Sequence, residues 1–270
     1  MNPPEYTLDD LLRVMQRLRD PVTGCPWDLQ QTFASIVPST LEECYELAQA
    51  IEDDDPAHIS EELGDVLFQV VFYAQLGSEQ GFFTFASVIH TLVDKLIRRH
   101  PHVFAGGEIE GIVDVDRPAV SDVNASWEAI KQAERDARQQ SGALDDVPLA
   151  LPALPRAQKL QKRAAKMNFD WADHAQVLEK LQEEIAELGA ALDDGNRDAI
   201  DEELGDMLFT CVNLARHLRL DAERSLRRAS GKFERRFAQM ERLASAAGAS
   251  LESLDDEQLD AFWNAAKRES

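Results

Sequence analysis

The sequence of 270 residues contains few cysteines and few of the residues that interrupt regular structure. Its three cysteines, Cys25, Cys44 and Cys211, are scattered and form no C-x-x-C pair, which argues against a disulfide framework. A small, dispersed set of this kind suits a reduced, cytoplasmic chain. Only 13 glycines and 11 prolines are present, so a loop-rich all-β fold is not expected.

Basic charge and long apolar runs are also scarce. With 28 Lys and Arg against 50 Asp and Glu, the formal net charge is −22. A duplex-binding protein needs a basic face and a polybasic membrane-surface protein needs clustered cations, so we expect neither a nucleic-acid nor a membrane partner. The acidic start lacks the pattern of a secretory signal, and the most apolar run, residues 66–76, is too short to span a bilayer.

The sequence repeats itself with an offset of 141 residues. The stretches EECYE (42–46) and EELGDVL (61–67) return as EEIAE (183–187) and EELGDML (202–208). Further matches follow in the same order, with KLIRRH (95–100) answering KFERRF (232–237) and W-x-x-x-K recurring from 127 and from 263. Ordered matches at near-constant spacing indicate an internal duplication.

Both copies show helical periodicity, and the fold class predicted is all-α. Apolar residues recur every three or four positions, and Asp, Pro, Gly and Asn punctuate residues 53–56 and 193–196. Each copy therefore predicts an αα-hairpin followed by further helices. Because three prolines fall between 148 and 155, we predict a linker at 141–155, between domains at 1–140 and 156–270.

Acidic residues are the candidate metal ligands of both copies. In each predicted hairpin an E-x-x-E pair on the first helix faces an E-x-x-D pair on the second, because residues three apart share a helix face. Clustered carboxylates repel one another unless cations neutralise them, and oxygen ligands suit Mg²⁺ or Mn²⁺. The predicted metal quartets are Glu43, Glu46, Glu62 and Asp65, and Glu184, Glu187, Glu203 and Asp206.

Two other interpretations of these carboxylates are weaker. They could lie on a solvated helix face, but they border the apolar stripe that should pack on a partner helix. Gly64 and Gly205 sit inside the second pair of each copy, where glycine disfavours the helix, so we expect another backbone to approach closely there. A di-iron bundle needs E-x-x-H on two helices, and neither quartet has that histidine.

Taken together, these motifs resemble the MazG family of nucleoside triphosphate pyrophosphohydrolases, specifically its two-domain bacterial members. The resemblance rests on E-E-x-x-E followed by E-E-L-G-D, on K-x-x-R-R and W-x-x-x-K downstream, and on GCPWD (24–28) and DKLIRRHPHVF (94–104). It covers essentially the whole chain. It implies Mg²⁺-dependent hydrolysis of nucleoside triphosphates to the monophosphate and pyrophosphate, and dimers whose partner chains complete the helical bundle.

With that activity as the expectation, cationic and aromatic residues of the second copy complete a site. Lys180 lies one turn before Glu184, Lys232 and Arg236 share a helix face, and Trp263 offers a stacking surface for a base. Glu184, Glu187, Glu203 and Asp206 are the predicted catalytic residues. The predicted nucleotide-binding residues are Lys180, Glu183, Glu184, Asp206, Lys232, Arg236, Trp263 and Lys267.

The two copies are not equivalent, because the position matching Lys180 in the first copy is Ser39. The resemblance to two-domain members implies that the second copy dominates turnover. We expect a cytoplasmic homodimer that acts on ribo- and deoxyribonucleoside triphosphates (ATP among them) of broad base range and clears the nucleotide pool. The alternative is a catalytically inactive, acidic helical dimer that binds nucleotides or a protein partner.

Overall fold

The computed structural model describes residues 6–112, 118–137 and 142–269. Over these ranges it contains eleven α-helices, two short 3₁₀ helices and no β-strand, which confirms the all-α prediction. The chain divides into two compact units, Met1–Gln132 and Ala133–Ser270, each holding one copy of the repeat. The predicted domain limits and the linker at 141–155 stay predictions, and α-helical structure resumes at Ala153, within that linker.

The first unit is built around a helical hairpin. Its two long helices, α3 (Phe33–Glu52) and α4 (Pro56–Glu79), pack along each other, and α1 packs against α4. The remaining helices of this unit are α1 (Leu8–Leu18), α2 (Pro26–Gln30), α5 (Phe85–Arg99) and the main part of α6 (Val120–Ala137).

The second unit repeats the hairpin with α8 (His174–Asp194) and α9 (Arg197–His217). Helix α7 (Ala153–Lys166) packs against α9, as α1 does against α4 in the first unit. Helices α10 (Ala222–Ala246) and α11 (Asp256–Glu269) form a second pair, and α10 also contacts α7 and α9.

Local capping explains why both hairpins turn where the sequence predicts. Asp55 caps α4 by accepting hydrogen bonds from the backbone N–H groups of Ala57 and His58 at 3.0 and 3.2 Å. In the second copy Gly195 adopts a left-handed conformation (φ 67°), and Asn196 caps α9. The hairpin turns predicted at 53–56 and 193–196 are therefore confirmed.

The first unit has an apolar core between α1, α3 and α4. Its buried residues are Met15, Ile36, Val71, Phe72 and Leu76. Elsewhere the hairpin helices leave large apolar side chains in contact with solvent in the single chain, for example Leu63 and Leu67 on α4, Ile185 on α8 and Leu208 on α9. Much apolar surface thus remains uncovered by the chain's own packing.

The expectation of a close backbone approach at Gly64 and Gly205 is wrong for this chain. A Cβ built on either glycine meets no atom within 4 Å among the described residues. The hairpin helices meet through other faces, so both glycines stand on open faces. Across the part of the chain that the structure describes, no helix has the length and apolarity needed to cross a membrane.

Candidate metal and nucleotide site

Three carboxylates of the first copy come together across the α3–α4 hairpin. Glu43, Glu62 and Asp65 each offer an oxygen, and these oxygens all lie within 4.8 Å of one another. Glu62 is buried, Glu43 half-buried and Asp65 exposed. The fourth predicted member, Glu46, is exposed and lies outside this group of three, although its charge acts on Glu43.

The second copy gathers a related but not identical trio. Oxygens of Glu184, Glu187 and Glu203 lie within 4.8 Å of one another across the α8–α9 hairpin, and Asp206 is exposed beside them. The buried member is now Glu184 on the first hairpin helix, whereas in the first copy it is Glu62 on the second helix. The duplication has therefore kept the carboxylates but changed which of them is removed from water.

Mutual repulsion is visible in the pKa of one carboxyl in each copy. Burial, followed by the charges of Asp65, Glu46 and Glu62, raises the pKa of Glu43. Burial also raises the pKa of Glu203, with further contributions from the neighbouring charges of Glu187, Glu184 and Asp206. Each cluster thus holds an excess of negative charge that a bound cation would relieve.

The donor set fits a hard divalent cation. Every candidate ligand is a carboxylate oxygen, which is the ligand type that Mg²⁺ and Mn²⁺ prefer. In the first copy, Oε1 of Glu62 contacts Nε2 of His58 at 2.8 Å, but Oε2 is buried with no hydrogen-bond partner among the described residues. An orphaned carboxylate oxygen inside an acidic cluster is an available position for a metal ion.

Lys180 is the cation that the structure places in the second cluster. Its Nζ lies 2.7 Å from Glu183, 3.1 Å from Glu184 and 4.0 Å from Glu187. The hydrogen bonds to Glu183 and Glu184 raise the pKa of Lys180, so it stays charged at neutral pH. The i, i+4 spacing on α8 explains the contact with Glu184, and a contact of Lys180 with phosphate oxygens stays a prediction.

A cavity of about 720 Å³ opens directly beside this cluster, between α7, α8 and α9. That volume is in the range of sites for small molecules and cofactors. Lys180, Glu184 and Asp206 form one part of its wall. The remaining wall carries apolar, aromatic and polar side chains from Leu144, Leu160, Gln161, Ala164, Asn168, Phe169, Asp170, Trp171, Phe209, Thr210, Asn213 and Arg216.

On the side of the cavity away from the carboxylates, a network of polar side chains stabilises the wall. Arg216 on α9 donates from Nη1 to Oδ2 of Asp170 at 2.9 Å, and its Nη2 also contacts that carboxylate. The guanidinium lowers the pKa of Asp170, as does His217, whose Nε2 lies 3.1 Å from Oδ1. Arg216 also donates to Oδ1 of Asn213 at 2.7 Å. The segment after α7 is thereby tied to α9.

The other predicted nucleotide contacts lie on the α10–α11 pair. Trp263 packs against Phe233, with ring centroids 5.4 Å apart, and Nζ of Lys267 lies 5.7 Å from the Trp263 ring centroid. Lys232 and Arg236 lie on α10. None of these four predicted residues is among those that line the cavity, and their contact with a nucleotide stays a prediction.

Sequence reasoning missed most of the cavity wall. Of the lining residues, Phe169 and Asp170 repeat Trp27 and Asp28 of the first copy, but that match does not indicate a cavity. A stronger signal was available in the repeat itself, because Asn213 stands where the first copy has Phe72, a polar residue at an apolar position of a duplicated helix.

Fold and site together define a class: an all-α protein of two tandem helical hairpins, each presenting a cluster of carboxylates that could hold a metal ion. The family described as "MazG nucleotide pyrophosphohydrolase domain" matches residues 31–104 and 172–240, so each match includes one complete quartet.

Relatives match along nearly the full length. A protein of Escherichia coli strain K12 named nucleoside triphosphate pyrophosphohydrolase is 48% identical over 267 residues, covering 97% of each chain. One from Thermotoga maritima, named nucleoside triphosphate pyrophosphohydrolase/pyrophosphatase MazG, is 44% identical over 96% of this chain and 95% of its own. The chain belongs to the MazG family, as a member with two copies of the domain.

Proposed function

We propose that this chain hydrolyses nucleoside triphosphates to nucleoside monophosphate and pyrophosphate, with Mg²⁺, at the carboxylate cluster of the second copy. One observation carries the proposal: Glu184, Asp206 and Lys180 form the wall of a cavity large enough for a nucleotide. The family match and the printed activity of the full-length relatives support the same reaction.

In the second copy, the acidic residues and Lys180 have different proposed roles. Bound Mg²⁺ would supply the positive charge that neutralises the phosphates and activates a water. Glu184, Glu187, Glu203 and Asp206 would hold the metal. Lys180, held by Glu183 and Glu184, would contact phosphate oxygens as a point charge. A carboxylate of the cluster would accept the proton of the water that attacks the α-phosphorus, with pyrophosphate as the leaving group.

Several finer features belong to the same proposal. The first-copy quartet also binds metal but contributes less to turnover, because it lacks a lysine at the position of Lys180. Lys232, Arg236, Trp263 and Lys267 remain predicted nucleotide contacts. The exposed apolar faces of the hairpins support a homodimer, since apolar area of this kind is normally covered. A cytoplasmic role in clearing nucleotides, with ribo- and deoxyribonucleotides as substrates, completes the proposal.

The test is a product assay on the purified chain with the common ribo- and deoxyribonucleoside triphosphates. We expect pyrophosphate and monophosphate in equal amounts, only when Mg²⁺ or Mn²⁺ is present. Release of orthophosphate would reject attack at the α-phosphorus. An absence of any product across the panel would favour the alternative, an inactive nucleotide-binding or partner-binding dimer.

A further inference from the structure

The cavity wall contains one buried polar atom that the chain itself leaves without a partner. Gln161 on α7 is 5% exposed, and its Oε1 is buried with no hydrogen-bond partner among the described residues. Buried polar groups in folded proteins nearly always have partners, and a missing one costs free energy. Because Gln161 lines the cavity, a molecule bound there is the natural source of the missing donor.

The orientation of this amide is fixed by its other end. Nε2 of Gln161 donates to the backbone carbonyl of Phe209 at 2.8 Å. Rotating the amide by half a turn would bring two oxygens together and lose that bond, so the atom left for a ligand is an acceptor. A ligand in the cavity would therefore pair with Gln161 through an N–H or O–H group.

A second amide, that of Asn213, lies on α9 one helical turn after Phe209. Oδ1 of Asn213 accepts hydrogen bonds from Nε and Nη2 of Arg216 at 3.1 and 2.7 Å. That commitment fixes the Asn213 amide as well, and its donor Nδ2 is the atom available to a ligand. The wall therefore offers an acceptor, Oε1 of Gln161 on α7, and a donor, Nδ2 of Asn213 on α9, four residues after the Phe209 carbonyl that holds Gln161.

The first copy carries a different kind of residue at the same position of the duplicated helix. With the offset of 141 residues, Asn213 corresponds to Phe72 and Arg216 to Gln75. Phe72 is fully buried in the core with Met15. The duplicated helix thus carries an apolar core residue in one copy and a polar cavity residue in the other, which is the change expected where a ligand replaces core side chains.

We propose that this cavity holds the nucleoside of the substrate and that Gln161 determines its recognition by accepting a hydrogen bond from it. This inference rests on the proposed function for the chemical class of the ligand. The phosphates would lie at the end lined by Lys180 and Glu184, and the base and sugar beyond it. Phe169 and Trp171, which are 82% and 41% exposed, provide aromatic surface for the base.

In adenosine, two kinds of group can supply the donor: the exocyclic amino group of the base or a hydroxyl of the sugar. Both make the same contact with Oε1 of Gln161, and analogues separate them. Purine riboside lacks the amino group of adenosine, and a 2′,3′-dideoxy sugar lacks both hydroxyls.

Equilibrium binding of α,β-methylene ATP to the full chain with Mg²⁺ tests the inference independently of turnover. Gln161→Met keeps the length of the side chain but removes the acceptor, and we expect Kd to rise about tenfold. Gln158→Met is the matched control, because Gln158 lies on the same helix and also donates to a backbone carbonyl, that of Leu220, at 3.1 Å, yet does not line the cavity. We expect its Kd to be unchanged.

The analogues then identify the donor. The loss caused by Gln161→Met should vanish for the α,β-methylene analogue that lacks the group bound by Gln161, because that analogue has no bond to lose. If the loss persists with both the purine riboside and the dideoxy analogue, Gln161 acts only on the structure and the inference fails. Equal Kd values for Gln161→Met, Gln158→Met and the unaltered chain would also overturn it.

A second variant guards against a folding defect. Asn213→Phe installs the residue that the first copy carries at this position, where a fold of the same kind accommodates it. We expect this variant to lose nucleotide binding at least tenfold while Mg²⁺-dependent binding of inorganic tripolyphosphate is kept. Equal losses for tripolyphosphate and nucleotide would contradict a nucleoside cavity. A chain that binds the nucleotide through Gln161 yet releases no pyrophosphate would reject only the proposed function.

Discussion

Replacing Glu184 with glutamine tests which copy of the repeat carries out the reaction. Glu184 is 4% exposed, its oxygens lie within 4.8 Å of those of Glu187 and Glu203, and it lines the cavity. The variant Glu184→Gln keeps the shape and one oxygen but removes a negative charge from the metal cluster and one of the charged partners of Lys180.

The expected loss can be estimated from the charges. Unit charges about 4 Å apart interact by about 4 kcal/mol at an effective dielectric constant of about 20. Preorganised electrostatic groups in active sites are worth about 2.7–4 kcal/mol by mutagenesis, which corresponds to about 100- to 1,000-fold in rate. We therefore expect Glu184→Gln to lower kcat/KM for pyrophosphate release at least about 100-fold at fixed Mg²⁺.

Two further variants serve as controls, one for the loss of charge alone and one for the first copy. Glu179→Gln makes the same charge change on an exposed position of α8 and should alter the rate by no more than about twofold. Glu43→Gln changes the position that matches Glu184 in the first copy and should retain most of the activity. The assay is steady-state pyrophosphate release from ATP. If Glu43→Gln costs as much as Glu184→Gln, or if Glu184→Gln stays within threefold of the unaltered chain, the assignment to the second copy is refuted.

Three further predictions concern the core, the metal and the assembly. Phe72→Ala should destabilise the first unit by about 3–5 kcal/mol in urea unfolding, because Phe72 is fully buried, whereas Phe82→Ala at an exposed site should cost under about 0.5 kcal/mol; equal midpoints would contradict the described core. Because the folded-state pKa of Glu203 is raised, the metal-free chain loses stability as the pH rises through that pKa, and Mg²⁺ affinity measured by calorimetry should increase over the same window; a pH-independent affinity would count against the cluster. Sedimentation should give twice the chain mass of 30.2 kDa, and Leu208→Glu, on an exposed apolar position, should shift the mass towards one chain; a single-chain mass for the unaltered protein would rule out the homodimer.

The hairpins and carboxylate clusters could be predicted because they depend on local rules. Helical spacing puts Glu184 and Glu187 on one face and Lys180 one turn away, and the capping residues fix where the turn falls. The cavity could not be predicted in the same way, because it exists only where α7 packs on α9 and leaves room beside Asn213.

The expectation about Gly64 and Gly205 failed for a related reason. Helix propensity says that a glycine is unfavourable at those positions but does not say which atoms lie nearby, and the single chain leaves them open. The burial of Glu62 in one copy and Glu184 in the other is likewise a tertiary property, since the two matching motifs are nearly identical in sequence.

The central claim is metal-dependent attack of water on the α-phosphorus at the second carboxylate cluster. It is tested most directly by running the reaction with ATP and Mg²⁺ in ¹⁸O-labelled water and locating the label by mass spectrometry. We predict one labelled oxygen in AMP, none in pyrophosphate, and no reaction after the metal is chelated. Label in pyrophosphate or in orthophosphate, or turnover that continues without divalent metal, would contradict the claim.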